Sequence, residues 1–135
     1  MPNKKLTAKE IELLEMTKSK KALEYFRNKT DLGEIDGAKS LEYTGACGET
    51  MKLYLKINNG LIEELKFQYE GCPGLACCGS ALCEIAKGKT IEEARKINQY
   101  DILENLESSP IKDFDCPLLA VKTLEEIIKK YEQKK

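Results

Sequence analysis

Met51-Lys52-Leu53-Tyr54-Leu55-Lys56-Ile57, then Asn58-Asn59-Gly60, then Leu61 to Tyr69, is the stretch that decides how this chain folds. Apolar and polar residues alternate from Met51 to Ile57, apart from Tyr54, as expected of a strand buried on one face. Asn-Gly favours the positive φ angles of a tight hairpin, so Leu61 to Tyr69 reads as the return strand, with Leu65, Phe67 and Tyr69 on one face. Gly71-Cys72-Pro73-Gly74 stops that strand. Upstream, residues 34–46 contain Gly37, Ser40, Gly45 and Ala46 and read as an extended approach or an edge strand.

Outside the hairpin the patterning is helical. Thr7-Ala8-Lys9-Glu10 is a capping box opening a short helix whose apolar face is Ile11, Leu14 and Met16. Ser19 caps a second helix, with Ala22, Leu23, Tyr25 and Phe26 inward. Residues 75–87 form a third, closed by Gly88, and Thr90-Ile91-Glu92-Glu93 caps another that runs to Ile97. Asp101 to Leu106 makes one more, ended by Ser108-Ser109-Pro110. The last begins at Pro117, a residue favoured at the first helical position. It turns Leu118, Val121, Leu124, Ile128 and Tyr131 to the core and ends in Lys129, Lys130, Lys134 and Lys135, which suits the helix dipole. The expected architecture is α+β, a small antiparallel β-sheet packed against several helices, with a long C-terminal helix. The 135 residues make one domain, 1–135, without repeat or linker.

Composition removes several functions. Hydrophobic residues at 41% and charged residues at 33% describe a globular chain and exclude a disordered one. Lys and Arg number 22 against 23 Asp and Glu, a balance that speaks against nucleic-acid binding. No apolar run approaches the roughly 18 residues that cross a bilayer, and the start, Met1 to Leu6, lacks a signal core. The expected setting is cytoplasmic, with no membrane partner. The absence of histidine excludes imidazole as base or ligand.

Six cysteines remain: Cys47, Cys72, Cys77, Cys78, Cys83 and Cys116. Disulfides suit an oxidising compartment and a coreless scaffold, so thiol chemistry or metal binding is the better reading. Cys47 sits in the turn Gly45-Ala46-Cys47-Gly48-Glu49, Cys72 at the end of the return strand, and Cys116 at the start of the last helix. The hairpin can bring the first two to one sheet end and the helix can bring the third. At a helix N-terminus, Cys116 is expected to ionise more readily than a free cysteine. Glu49 offers a hard oxygen ligand, and Asp115 either a further ligand or a helix cap. Without histidine, a four-coordinate site here needs three cysteines and one carboxylate. Cys83 reads as a buried small hydrophobe. Cys77 and Cys78 divide between that role and a reactive pair, which leaves a thiol redox sensor or plain metal-binding module as a further alternative.

Gly45-Ala46-Cys47-Gly48-Glu49-Thr50-Met51-Lys52-Leu53 resembles the Cys-Gly-Asp-x-Met-x-Leu segment of iron–sulfur cluster assembly scaffolds of the IscU and NifU N-terminal type. Gly71-Cys72 with Ser80-Ala81-Leu82 and Gly88 to Ala94 is similar to that family's second-cysteine segment and helix pair. Asp115-Cys116 leading into Leu119 to Tyr131 resembles its third-cysteine helix, and Leu23 to Lys29 its N-terminal helix. The likeness spans about residues 19–133, and residues 1–18 look like an added helix.

The resemblance implies a scaffold that accepts sulfur from a cysteine desulfurase, binds iron and builds a transient [2Fe–2S] cluster for recipient apo-proteins. It implies Cys47, Cys72 and Cys116 as cluster ligands, Glu49 where the family has Asp, and Cys116 as persulfide acceptor. It also touches the SufU-like branch, in which zinc takes iron's place and the product is a relayed persulfide. Asp115 stands where the family commonly has His, and Cys77, Cys78 and Cys83 where it has small or hydroxylated residues. Ser109-Pro110-Ile111-Lys112 echoes only part of the family's chaperone-recognition segment. Oligomeric state, including a homo-oligomer, stays open.

Overall fold

A computed structural model describes residues 6–46, 48–107 and 116–133. Cys47, Asp115, the Ser109 to Lys112 stretch, Lys134, Lys135 and the Met16 side chain lie outside the described residues. The elements run α1 (Ala8–Thr17), α2 (Lys20–Asn28), β1 (Lys39–Thr44), β2 (Thr50–Asn58) and β3 (Leu61–Glu70). They continue with α3 (Pro73–Ala86), α4 (Ile91–Ala94), α5 (Gln99–Asn105) and α6 (Cys116–Gln133).

β2 and β3 form the expected hairpin. Asn59 and Gly60, at φ 55° and 78°, supply the two positive φ angles of its turn. Pairing runs from Thr50↔Glu70 to Lys56↔Glu64, then slips to Ile57↔Ile62, leaving Glu63 as one extra residue. Because side chains alternate with period two, this bulge returns Ile62 to the face that already holds Leu65 and Phe67. All three are fully buried there with Met51, Leu53 and Leu55. On the opposite face the Tyr54 hydroxyl donates to Gln68 Oε1 at 2.7 Å, and the Lys52 ammonium lies 5.1 Å from its ring centre. Tyr54 breaks the alternation and is buried all the same.

The extended approach proves to be an edge strand. β1 pairs antiparallel with β2, giving the sheet order β1-β2-β3. The outer edge of β3 is covered at two points, by the Gly88–Thr90 segment beside Leu61 and Ile62 and by the Asp31–Gly33 segment beside Phe67. The Phe67 N–H donates to the Asp31 carbonyl and the Gly33 N–H to the Phe67 carbonyl, at 3.0 and 2.8 Å. Such cover blunts an otherwise pairing-competent edge.

α3 is the centre of the helical layer. All its residues but Glu84 and Ile85 are buried, as befits a helix apolar on every side. It packs against α1, α2, α5, α6 and β3. Its small residues allow that closeness: a Cβ on Gly79 would lie 2.6 Å from the Phe67 ring. α6 crosses β1 and β2 and turns Leu119, Ala120, Val121, Leu124, Ile127 and Ile128 inward.

The helix boundaries and faces need corrections. α1 is opened by the Thr7–Glu10 box, but among its described residues the buried apolar one is Leu13, with Thr17 buried beside it, whereas Ile11 is 44% exposed. A ten-residue helix that packs chiefly against α2 and α3 needs a narrow contact, not a full stripe. α4 stops at Ala94, not Ile97, because Asn98 starts a new helix there. Its side chain accepts the Tyr100 and Asp101 N–H groups, and Asp101, expected to begin α5, is the box partner. α6 begins at Cys116, one residue early, and buries Leu119 in place of Leu118, which is 39% exposed. Leu119 packs over Gly45, 3.1 Å from where a Cβ would stand.

Gly79→Ala sets two effects against each other. Helix propensity gains about 1 kcal/mol, while overpacking against a fully buried ring costs about 1–3 kcal/mol. With the methyl 2.6 Å from ring carbons on a strand that cannot retreat, overpacking wins. Urea unfolding of the variant should show a lower free energy, and an increase would contradict this account of the α3–β3 contact.

Candidate metal centre

Three elements end at one edge of the sheet. The β1–β2 connection closes with the Gly45 N–H donating to the Glu49 carbonyl at 2.9 Å, which sets Glu49 at the start of β2. Thr50 pairs with Glu70, so the next residues outward, Glu49 and Gly71, face each other. Cys72 follows as the N-cap residue of α3, and Pro73 takes the first turn. α6 then supplies Cys116, its first residue.

The side chains converge. Cys72 Sγ lies 3.5 Å from Cys116 Sγ. Glu49 Oε1 lies 3.7 Å from Cys72 Sγ and 3.6 Å from Cys116 Sγ. The other oxygen, Oε2, accepts the Cys72 backbone N–H at 3.1 Å. One carboxylate oxygen is thus pinned to the backbone while the other faces both sulfurs. Cys116 is buried, and Glu49 and Cys72 are half-buried. Ordinary bond lengths to a tetrahedral zinc, about 2.3 Å to sulfur and 2.0–2.2 Å to oxygen, put donor atoms roughly 3.8 Å apart for two sulfurs and 3.6 Å for sulfur and oxygen. The three observed spacings lie within about 0.3 Å of three corners of such a site.

The thiol electrostatics differ from the helix-end expectation. Cys72 is held below the ordinary thiol range, first by the hydrogen bond from Cys116 and then by the Leu75 amide, against burial and the Glu49 carboxylate. Cys116 is held far above it by that same bond with Cys72, by its deeper burial and by Glu49. The two sulfurs share a proton, so the pair titrates as a unit. The first thiolate belongs to Cys72, not Cys116. Both sulfurs stand at helix starts, and the more exposed one takes the charge. Pro73, favoured at a first helical position, was the sequence signal that Cys72 also begins a helix.

The three cysteines of α3 stay out of this group. Cys77, Cys78 and Cys83 lie inside α3, fully buried. The Cys77 thiol donates to the Gly74 carbonyl at 3.1 Å. Burial pushes the Cys78 and Cys83 thiols well up, Cys78 further so by its Cys77 neighbour. Thiols kept neutral in a core are poor nucleophiles and poor ligands. Tyr69, half-buried on β3, is a neighbour that sequence reasoning missed; burial and the nearby Cys72 push its hydroxyl up.

Residues 17–135 match the sequence model of the NifU-like N-terminal domain. The chain belongs to that family. It is 36% identical over 118 residues to the iron–sulfur cluster assembly scaffold protein IscU 1 of Archaeoglobus fulgidus, covering 86% of this chain and 77% of that one. To the scaffold protein IscU of Haemophilus influenzae it is 35% identical over 125 residues, covering 88% and 98%. Two crystal structures share the fold. A candidate cluster assembly scaffold for the SUF system (FiSufU) from Fervidobacterium islandicum aligns with TM-score 0.66 and 23% identity, covering 82% of this chain and 95% of that one. The N-terminal part of a NifU-like protein from Brucella abortus aligns with TM-score 0.66 and 19% identity, covering 91% and 99%. No helix among the described residues of this NifU-type chain is long and apolar enough to cross a membrane.

In metal-free protein, iodoacetamide should therefore modify Cys72 ahead of Cys116, with a half-maximal rate at a pH below that of a free thiol, about 8.5. Cys116 should lag, and Cys77, Cys78 and Cys83 should react only on unfolding. Glu49→Gln removes a charge that opposes the Cys72 thiolate, so the Cys72 profile should move to still lower pH. Peptide mass spectrometry across a pH series reads all of this, and Cys116 reacting ahead of Cys72 would overturn the assignment.

Proposed function

We propose that this chain is an iron–sulfur cluster assembly scaffold whose site is built on Glu49, Cys72 and Cys116. The observation that carries the proposal is the donor triangle, one carboxylate oxygen and two sulfurs all within 4.8 Å, in a chain of the NifU-like N-terminal domain family. Thiolates are soft ligands suited to iron and sulfur clusters, and a carboxylate is a harder donor. A mixed set of this kind holds a cluster while leaving one bond weak enough to exchange, which suits a protein that must also let go. Cys47, two positions before Glu49 in sequence, supplies the remaining thiolate in this reading, and Asp115, which precedes Cys116 in sequence, stands as a further oxygen donor. The cargo is a transient [2Fe–2S] cluster, iron is its metal, and zinc is the competitor for the same donors.

Sulfur arrives from a cysteine desulfurase as a persulfide. Cys116 is the acceptor. Its proton passes to the Cys72 thiolate 3.5 Å away, the freed Cys116 thiolate attacks the outer persulfide sulfur, and the donor cysteine leaves as a thiolate. The S–S bond of the donor breaks as a new one forms on Cys116, so electrons balance with no outside oxidant. Turning the persulfide sulfur into cluster sulfide takes two electrons from an external thiol or electron-transfer protein, and the finished cluster passes to apo-proteins. Such chemistry needs thiols kept reduced, hence a cytoplasmic setting. One scaffold domain, 1–135, carries the function, with residues 1–18 as an added helix.

Anaerobic reconstitution with ferrous iron, cysteine and a cysteine desulfurase tests the proposal. The expected product is a coloured, labile species with about two irons and two sulfides per site, the [2Fe–2S] composition. Replacing Cys47, Cys72 or Cys116 by Ser should abolish it, whereas the same change at Cys77, Cys78 or Cys83 should not. A colourless protein that keeps one tight zinc and takes persulfide on Cys116 would replace the scaffold with a SufU-like sulfur relay.

A further inference from the structure

Gly71 has no side chain where one would collide with the Glu49 carboxylate. A Cβ at 71 would stand 2.8 Å from Glu49 Cδ, 3.0 Å from Cγ and 3.0 Å from Oε1, and its three nearest neighbours are all Glu49 atoms. Ordinary carbon contacts are about 3.5–4.0 Å. The backbone does not demand glycine here: the glycines with positive φ are Gly33, Gly37, Gly48, Gly60 and Gly88. The nearest obstacle to a Cβ at 71 is the Glu49 side chain.

We infer that Gly71 is a positioning residue whose bare Cα lets Glu49 lie across it and present Oε1 to both site sulfurs. The inference rests on the metal-site reading above and deepens it. A methyl group at 71 pushes the carboxylate off, and the displacement touches both of its roles. Oε1 leaves its place 3.6–3.7 Å from the sulfurs, and Oε2 is drawn away from the Cys72 N–H that it accepts at 3.1 Å. Both ends of the lever belong to one side chain, so the cost of a methyl at 71 exists only while Glu49 is present.

That dependence is what a double-mutant cycle measures. Four metal-free full-length chains are needed: the parent, Gly71→Ala, Glu49→Ala and the double variant carrying both changes. Each is titrated anaerobically with Co(II), and thiolate-to-cobalt charge-transfer absorption reports binding. Gly71→Ala should weaken Co(II) binding about 10-fold or more when Glu49 is present, in the range expected of residues that orient ligands. In the Glu49→Ala background it should change binding by less than about 2-fold, inside the additivity error for uncoupled sites. Equal losses in both backgrounds, or no loss with Glu49, overturn the inference. If Gly71→Ala alone destabilises the fold, thermal melting carries the test. The double variant then melts with Glu49→Ala if the clash is with Glu49, and as early as Gly71→Ala if the methyl is refused elsewhere. A parent chain showing no charge-transfer band overturns the metal-site reading, and the melting comparison still decides the Gly71–Glu49 contact.

Discussion

The hydrogen bond from the Cys72 backbone N–H to Glu49 Oε2 ties the beginning of β2 to the junction of β3 and α3. It can form because the hairpin register pairs Thr50 with Glu70 and so sets Glu49 opposite Gly71. A slip of one residue would turn Glu49 to the other face of the sheet and remove it from the sulfurs. The register in turn is held by the buried face of Met51, Leu53, Leu55, Leu65 and Phe67, which cannot be turned outward without exposing the core. Core packing of the sheet and geometry of the site are therefore one constraint read at two ends of the same strands.

That geometry concentrates negative charge. With Cys72 as thiolate and Glu49 as carboxylate, a second thiolate at Cys116 would bring three anionic groups within 4.8 Å of one another. Near a protein surface, each like-charge pair about 4 Å apart costs on the order of 4 kcal/mol. The metal-free molecule avoids this by leaving a proton between the two sulfurs, which is why one thiol is pulled down and the other pushed up. A cation replaces that proton and removes the repulsion, so metal binding and thiol deprotonation are coupled. The core thiols of α3 face no such tension. Burial is the chief cause that holds the Cys78 and Cys83 thiols up.

Much of this was legible in sequence because it depends on local patterns. The β2–β3 hairpin follows from alternation and Asn59-Gly60, and the caps at Thr7, Ser19 and Thr90 follow from side chains that reach their own backbone. The nearness of Cys72 and Cys116 followed from placing both at element ends. What escaped depends on distant partners. Leu13 and Leu119 displaced Ile11 and Leu118 from the core because neighbouring elements, not helical periodicity alone, chose the buried face. Cys116 holds its proton more tightly than a free thiol, against the helix-end expectation, because contact with Cys72 and burial outweigh a single helix terminus. Gly71 looked like a strand stop, and its neighbour Glu49 lies 22 positions away in sequence. No local pattern carries that contact.

The most direct test of the central claim is X-ray absorption at the zinc edge of the full chain loaded with one zinc, compared with Glu49→Ala. Sulfur scatterers at about 2.3 Å and one lighter scatterer at about 2.0–2.2 Å are expected. The lighter one should disappear, or be replaced by solvent at altered distance, in the variant. A shell of sulfur alone in the parent protein, or a spectrum that Glu49→Ala leaves unchanged, would contradict a site in which this carboxylate stands beside the two sulfurs as a ligand.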